Sequence, residues 1–219
     1  TDALTLGAVT ASGKLDATAA TNIDLAGTVS TQSLNLEATA GDVTQSAGTL
    51  TVSAGPTDLK AGDDITLDKA NDFVGDVNIS SAEAVTLNDI NSLTLGTVSI
   101  SDKLDATAAT DLILNGTVSV DELDLTATAG KIDQTAGTLS VTSGPSSLDA
   151  GTTITLNQAN DFNGMVNVLG GTDVTLNDTD DLTLGTVTAS GKLDATAATD
   201  LILNGIVSVD ELDLTASAG

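Results

Sequence analysis

A long internal repeat constrains this chain more than any other feature. Lys14-Leu15-Asp16-Ala17-Thr18 returns as Lys103-Leu104-Asp105-Ala106-Thr107 and again as Lys192-Leu193-Asp194-Ala195-Thr196, with 103 − 14 = 89 and 192 − 103 = 89. Leu4-Thr5-Leu6-Gly7 recurs at Leu93 and Leu182, and Ile65-Thr66-Leu67 recurs at Ile154, so no insertion or deletion separates the copies. The 219 residues divide into 1–89, 90–178 and 179–219, about 2.5 copies of one unit in what reads as a single domain. Gapless self-similarity of this length is the mark of a solenoid, a propeller or an array.

A shorter beat runs inside each copy. Leu4-Thr5-Leu6, Ile23-Asp24-Leu25, Leu34-Asn35-Leu36, Leu50-Thr51-Val52, Ile65-Thr66-Leu67 and Val85-Thr86-Leu87 each place two aliphatic side chains on one face and a polar one on the other. That period of two is the pattern of a half-buried strand. Clusters such as Ala40-Gly41-Asp42 and Asn71-Asp72 supply turns between them. The spacing is too irregular for a meander of hairpins, and it predicts a coiling path of about 20 residues per coil, four or five coils per copy, with the copies related by translation along one axis. Differences between copies fit this reading. Over Phe73 to Ile79 against Phe162 to Val168, the residues of one parity stay apolar or Gly, while Val74 becomes Asn163 and Asp76 becomes Met165.

Composition sharpens the fold class to all-β. The chain lacks Cys, Trp, Tyr, His and Arg, and has only Phe73 and Phe162 as aromatics. Few large side chains are on hand to fill a globular centre, whereas a narrow core of stacked aliphatics suits the mixture. The aliphatic-Thr-aliphatic strands, the Ala/Thr/Gly/Asp-rich composition and the long near-identical repeats resemble those of filamentous-haemagglutinin-type exoproteins. These are large bacterial surface adhesins exported by two-partner secretion. The resemblance implies an elongated right-handed parallel β-helix (β-solenoid), secreted and exposed at the cell surface or in an extracellular matrix. It implies a structural or adhesive shaft in a fibre or filament, able to meet host or matrix glycans or proteins.

The formal net charge of −25 excludes ordinary nucleic-acid binding and adsorption to anionic membranes, both of which rest on Lys and Arg. No apolar run reaches the length of a membrane span, so membrane insertion is not expected. Ala218-Gly219 matches Ala129-Gly130 inside the array, and Thr1 stands mid-repeat. The chain therefore reads as an internal piece without caps, expected to self-associate through open solenoid ends.

No residue is singled out as catalytic, cofactor-binding or metal-binding. A carbohydrate-active β-helix enzyme is the main alternative, but Lys14, Lys103 and Lys192 occupy equivalent places rather than one site, and repeated environments do not separate the pKa values of two carboxylates. Calcium could find oxygen ligands at Gly62-Asp63-Asp64, Asn88-Asp89 and Asn177-Asp178-Thr179-Asp180-Asp181, although Gly151-Thr152-Thr153 replaces the first of these in the second copy. Solvated turn carboxylates are the favoured reading, and no cofactor is expected. Thr153-Ile154-Thr155 looks superficially like an ice-binding ladder, yet its counterpart is Asp64-Ile65-Thr66. Phe73 and Phe162 read as core stackers, and Gly7, Gly96 and Gly185 as turn residues.

Overall fold

A computed structural model describes residues 2–217, in which 28 short strands follow one another without a helix. All the pairings are parallel, and they join strands roughly one coil apart in sequence rather than neighbours in the chain. The chain is a β-solenoid. Its long walls are two stacks of eleven strands each, one running from Leu4–Leu6 to Leu201–Leu203 and the other from Lys14–Ala19 to Glu211–Ala216. Short strands add two further runs at opposite corners of the coil, Val29–Thr31 and Leu50–Val52 where the chain leaves the first wall, and Val118–Val120 and Leu139–Val141 where it leaves the second.

Alternation builds the core. In Ser33–Ala38 every second residue is buried, and Leu34, Leu36 and Ala38 point inward while Ser33, Asn35 and Glu37 line the outer wall. Partners in register stack like on like: Ile23 lies on Val43, Val43 on Ile65, Ile65 on Val85 and Val85 on Leu104. The result is one continuous aliphatic column, to which both phenylalanines contribute at 1% exposure. The parity read from Phe73 to Ile79 holds, since Phe73, Val77 and Ile79 are buried and Val74 is 61% exposed.

The copies are not related by translation alone. Nine coil steps carry Leu15 to Leu193, through Leu34, Thr57, Val77, Leu95 or Leu93, Leu112, Ile132, Ile154 and Val174. Those nine steps span 193 − 15 = 178 residues, two copies, so one copy fills four and a half coils. Lys14–Ala19 and Lys192–Ala197 therefore sit in one wall, and Lys103–Ala108 sits in the other. Consecutive copies are related by a half-turn about the solenoid axis with a rise of about 22 Å at the usual strand spacing. Individual coils vary from 184 − 166 = 18 to 146 − 123 = 23 residues, because the corners, not the walls, absorb the differences.

Glycines stack at a corner where the chain approaches itself closely. A Cβ on Gly137 would stand 2.3 Å from the carbonyl carbon of Gly116, and Gly137 has φ +72. Gly116 in turn lies over Gly96, where a Cβ would meet the Asn78 Oδ1 at 2.1 Å. Gly96 and Gly185 are not turn residues: both lie inside bent strands, Leu93–Ser99 and Leu182–Thr188, at the point where the wall folds over into the corner run. Their small size is needed for contact between coils, not for a reversal of the chain.

Candidate functional site: the polar corner and the acidic outer walls

The longest strand of each copy, Ile65–Phe73 or Ile154–Phe162, pairs with a wall through its first half and with the short corner run through its second. Where it bends, Asn71 and Asn160 turn inward and are 0% exposed. The Asn71 amide is fully engaged. Its Nδ2 donates to Gln45 Oε1 at 2.9 Å and to the Leu67 carbonyl at 3.0 Å, and its Oδ1 accepts from Gln45 Nε2 at 2.8 Å and from the Leu50 N–H at 2.9 Å. Asn160 repeats the set with Gln134, Leu156 and Leu139. One coil on, the buried Asp89 accepts from the Phe73 and Asn91 N–H groups at 2.8 and 2.7 Å, and Asp178 does the same for Phe162 and Asp180. Burial pushes both carboxyl groups above the ordinary Asp range, and their backbone hydrogen bonds oppose the shift. This corner is a structural joint that replaces ladder hydrogen bonds lost at the bend.

The acidic clusters that could have offered calcium its oxygen ligands are divided between the interior and the surface. Asp89 and Asp178 are turned inward as joint residues, Asp63 and Asp64 stand exposed between strands, and among the described residues no three acidic side chains gather as a metal would require. Lys14, Lys103 and Lys192 do not converge, and each is spent locally on carboxylates. Lys14 meets Asp16 at 3.1 Å, Lys103 meets Asp124 at 3.3 Å, and Lys192 reaches Asp194, Asp213 and Glu211. The reason is a like-charge stack: Asp105 is the register partner of Asp124, and Asp194 of Asp213. In the first copy the equivalent partner of Asp16 is Asn35, which donates to it at 2.9 Å and, with Lys14, holds its carboxyl below the ordinary value. Asp105 is raised by burial and by Asp124, against Lys103. The remaining lysines are also paired, Lys60 with Glu37, Lys69 with Asp68 and Lys131 with Asp133.

Thr153 is exposed to an intermediate degree at a turn, while Thr155 stands on the outer wall between Asp133 and Thr175, so no unbroken threonine ladder runs through it. An open groove of about 370 Å³ is lined by Asp161, Asn163, Asp180, Asp181, Thr199 and Ile202, among others. The same places in the preceding copy hold Asp72, Val74, Asn91, Ser92, Thr110 and Ile113, so the acidity of the groove is not repeated. Asp181 accepts from the Thr199 hydroxyl and the Asp200 N–H, which hold it below the usual carboxylate range. A general acid needs the reverse shift. The carboxyls that are pushed well into the core, Asp89 and Asp178, are 1% and 2% exposed and out of reach of a substrate.

A family model described as repeats of unknown function (DUF5649) matches residues 20–80, 82–121, 109–169 and 171–219. The chain belongs to that family. The matched segments begin at positions offset by the repeat length, 109 − 20 = 89 and 171 − 82 = 89. Each matched segment spans about two coils or more. No curated protein and no solved structure gives a significant match. Among the described residues no helix is long and apolar enough to cross a membrane.

Proposed function

We propose that this repeat array is a non-catalytic shaft, a spacer in an extracellular or cell-surface fibre of the adhesin type. The observation that carries the reading is the half-turn relation of gapless 89-residue copies around one uninterrupted core. Each coil rests only on its neighbours, so length grows with copy number while the cross-section stays fixed. The backbone frame of one copy reappears on the opposite wall in the next, and outward residues that are kept, such as Lys14-Leu15-Asp16 at Lys103-Leu104-Asp105, are shown in two directions. A weak contact with a matrix glycan or protein becomes multivalent without any new site.

Variants with one or two extra 89-residue copies test the shaft. One added copy should lengthen the particle by about 22 Å and turn everything beyond it through half a turn, and two should restore the original facing. A single cysteine beyond the insertion, paired with one before it, reports both changes by spectroscopic distance, since the chain has no Cys of its own. A particle whose length does not increase would overturn the shaft. Antibody labelling of intact cells tests the location separately, and labelling only after lysis would overturn the surface assignment.

A further inference from the structure

We propose that this rod is a polyanion of nucleic-acid-like charge density and that its surface is matched to a polycation, namely a Lys- or Arg-rich polypeptide. The net charge is −25, and eleven coils at the usual strand spacing make a rod roughly 50 Å long. One net charge therefore falls on about every 2 Å of axis, against about 1.7 Å for duplex DNA. Two unit charges 2 Å apart in water interact by about 2 kcal/mol, more than three times RT, so a line of them gathers counterions as DNA does. The fold makes this a property of the whole surface. All the acids except Asp89 and Asp178 lie outside the core, and all six lysines are already paired with carboxylates.

The half-turn between copies spreads the charge around the rod. Asp16, Asp58, Asp133, Asp194 and Asp213 belong to one long wall, and Asp24, Asp105, Asp124 and Asp149 to the other. A polycation laid along either wall displaces condensed counterions and gains their release, and it needs no shaped pocket. This proposal does not depend on the extracellular assignment, because it concerns the charge of the folded rod alone.

The test is binding of a fluorescent octalysine to the 219-residue chain, followed by anisotropy across a salt series. The expected plot of log K against log salt is linear with a slope of roughly −6 to −7, so that affinity falls about 10³- to 10⁴-fold between 50 and 200 mM salt. A tetralysine should show about half that slope. A slope shallower than −3 for octalysine would overturn the proposal. Two paired variants test distribution: Asp63→Asn with Asp64→Asn, and Asp180→Asn with Asp181→Asn. Both should weaken octalysine binding by a similar factor of two to three at 50 mM salt, with circular dichroism confirming that the fold is kept. A tenfold or greater loss in the Asp180 and Asp181 pair, with none in the other, would replace the distributed surface with a local site and overturn the proposal.

Discussion

Asn71 and Val74 stand three residues apart in the same bend, yet they differ completely in what the second copy does with them. Asn71 is kept as Asn160 together with its partners, Gln45 as Gln134 and Asp89 as Asp178, whereas Val74 becomes Asn163. Asn71 is 0% exposed and satisfies four hydrogen-bonding groups, while Val74 is 61% exposed. The contrast shows where the sequence is bound by physics. A buried polar joint tolerates no partial set of partners, because every group left over carries its full desolvation cost. An outward position on a strand has only solvent to satisfy.

The comparison breaks first at the joint. Replacing Asn160 by Leu strands the Leu139 N–H and takes a donor from the Leu156 carbonyl, and it leaves the Gln134 amide only its long hydrogen bonds to the Gly137 carbonyl and from the Gln158 N–H, so it should cost about 2 to 4 kcal/mol, at about 1 to 3 kcal/mol for each group that finds no water. Urea denaturation should show the loss. Hydrogen exchange should place it in the coils containing Ile132–Gln134 and Ile154–Phe162. A cost below about 1 kcal/mol would mean that the amide pair is incidental to the bend.

Glycine contacts come next. Gly137→Ala combines a positive φ with a collision against the Gly116 backbone and should cost about 2 to 3 kcal/mol. Gly7, the first-copy equivalent of Gly96, has nothing within 4 Å of its missing Cβ. Gly7→Ala should accordingly be neutral or slightly stabilising, by up to about 0.5 kcal/mol. Comparable thermal shifts for the two would remove close coil stacking as the reason for these glycines.

Much of the fold was legible in the sequence because a strand wall repeats with period two and a coil with about 20 residues, both visible in the triplets. The half-turn was not, because a sequence offset counts residues and not faces. The signal was present: 89 divided by a coil of about 20 is close to a half-integer. The joint was hidden for another reason. Gln45 and Asn71 are 26 residues apart, and only the inward parity of Asn71 with Ile65, Leu67 and Phe73 marks it as a polar residue in an apolar column. The pairing of Asp105 with Asp124 was missed because it joins different positions of the repeat, which a search for identical residues passes over.

Inside the core, two hydroxyls sharpen the rule by exception. Thr57 Oγ1 and Ser146 Oγ, equivalent in the two copies, are buried without a protein partner. Thr57→Val keeps the shape and removes the unpaired group, so it should stabilise the chain by about 1 kcal/mol in urea titration. Destabilisation would mean that the hydroxyl is satisfied in solution and belongs with the joint.

Acid titration separates the inward from the outward carboxylates by sign. Asp178 is raised by burial, so its contribution to stability is fully present below the ordinary Asp pKa and is lost as pH rises through the raised value. Asp181 is lowered by its hydroxyl and N–H donors, so its contribution is present above the ordinary pKa and is lost as pH falls through the lowered value. The deficit of Asp178→Asn relative to wild type should therefore widen toward acid pH, and that of Asp181→Asn should shrink. Parallel pH profiles for the two variants would show that the inward turn of Asp178 does not govern its ionisation.

The smallest effects belong to the outer wall, and they are the other half of the comparison. Asn163→Val installs the first copy's residue, and Leu169→Ser does the same for a side chain that is 55% exposed. Asn163 gives up a single exposed hydrogen bond to Asp161, and Leu169 gives up little buried area. Each change should stay within about 0.5 kcal/mol, the range of surface substitutions that touch no special feature. The half-turn makes this a demanding control, because each exchanged residue enters the opposite wall from the one it is copied from. If either swap costs more than about 1 kcal/mol, the walls are not equivalent surfaces. Divergence between copies would then record adaptation to a side of the rod, and the freedom assigned to outward positions would not hold.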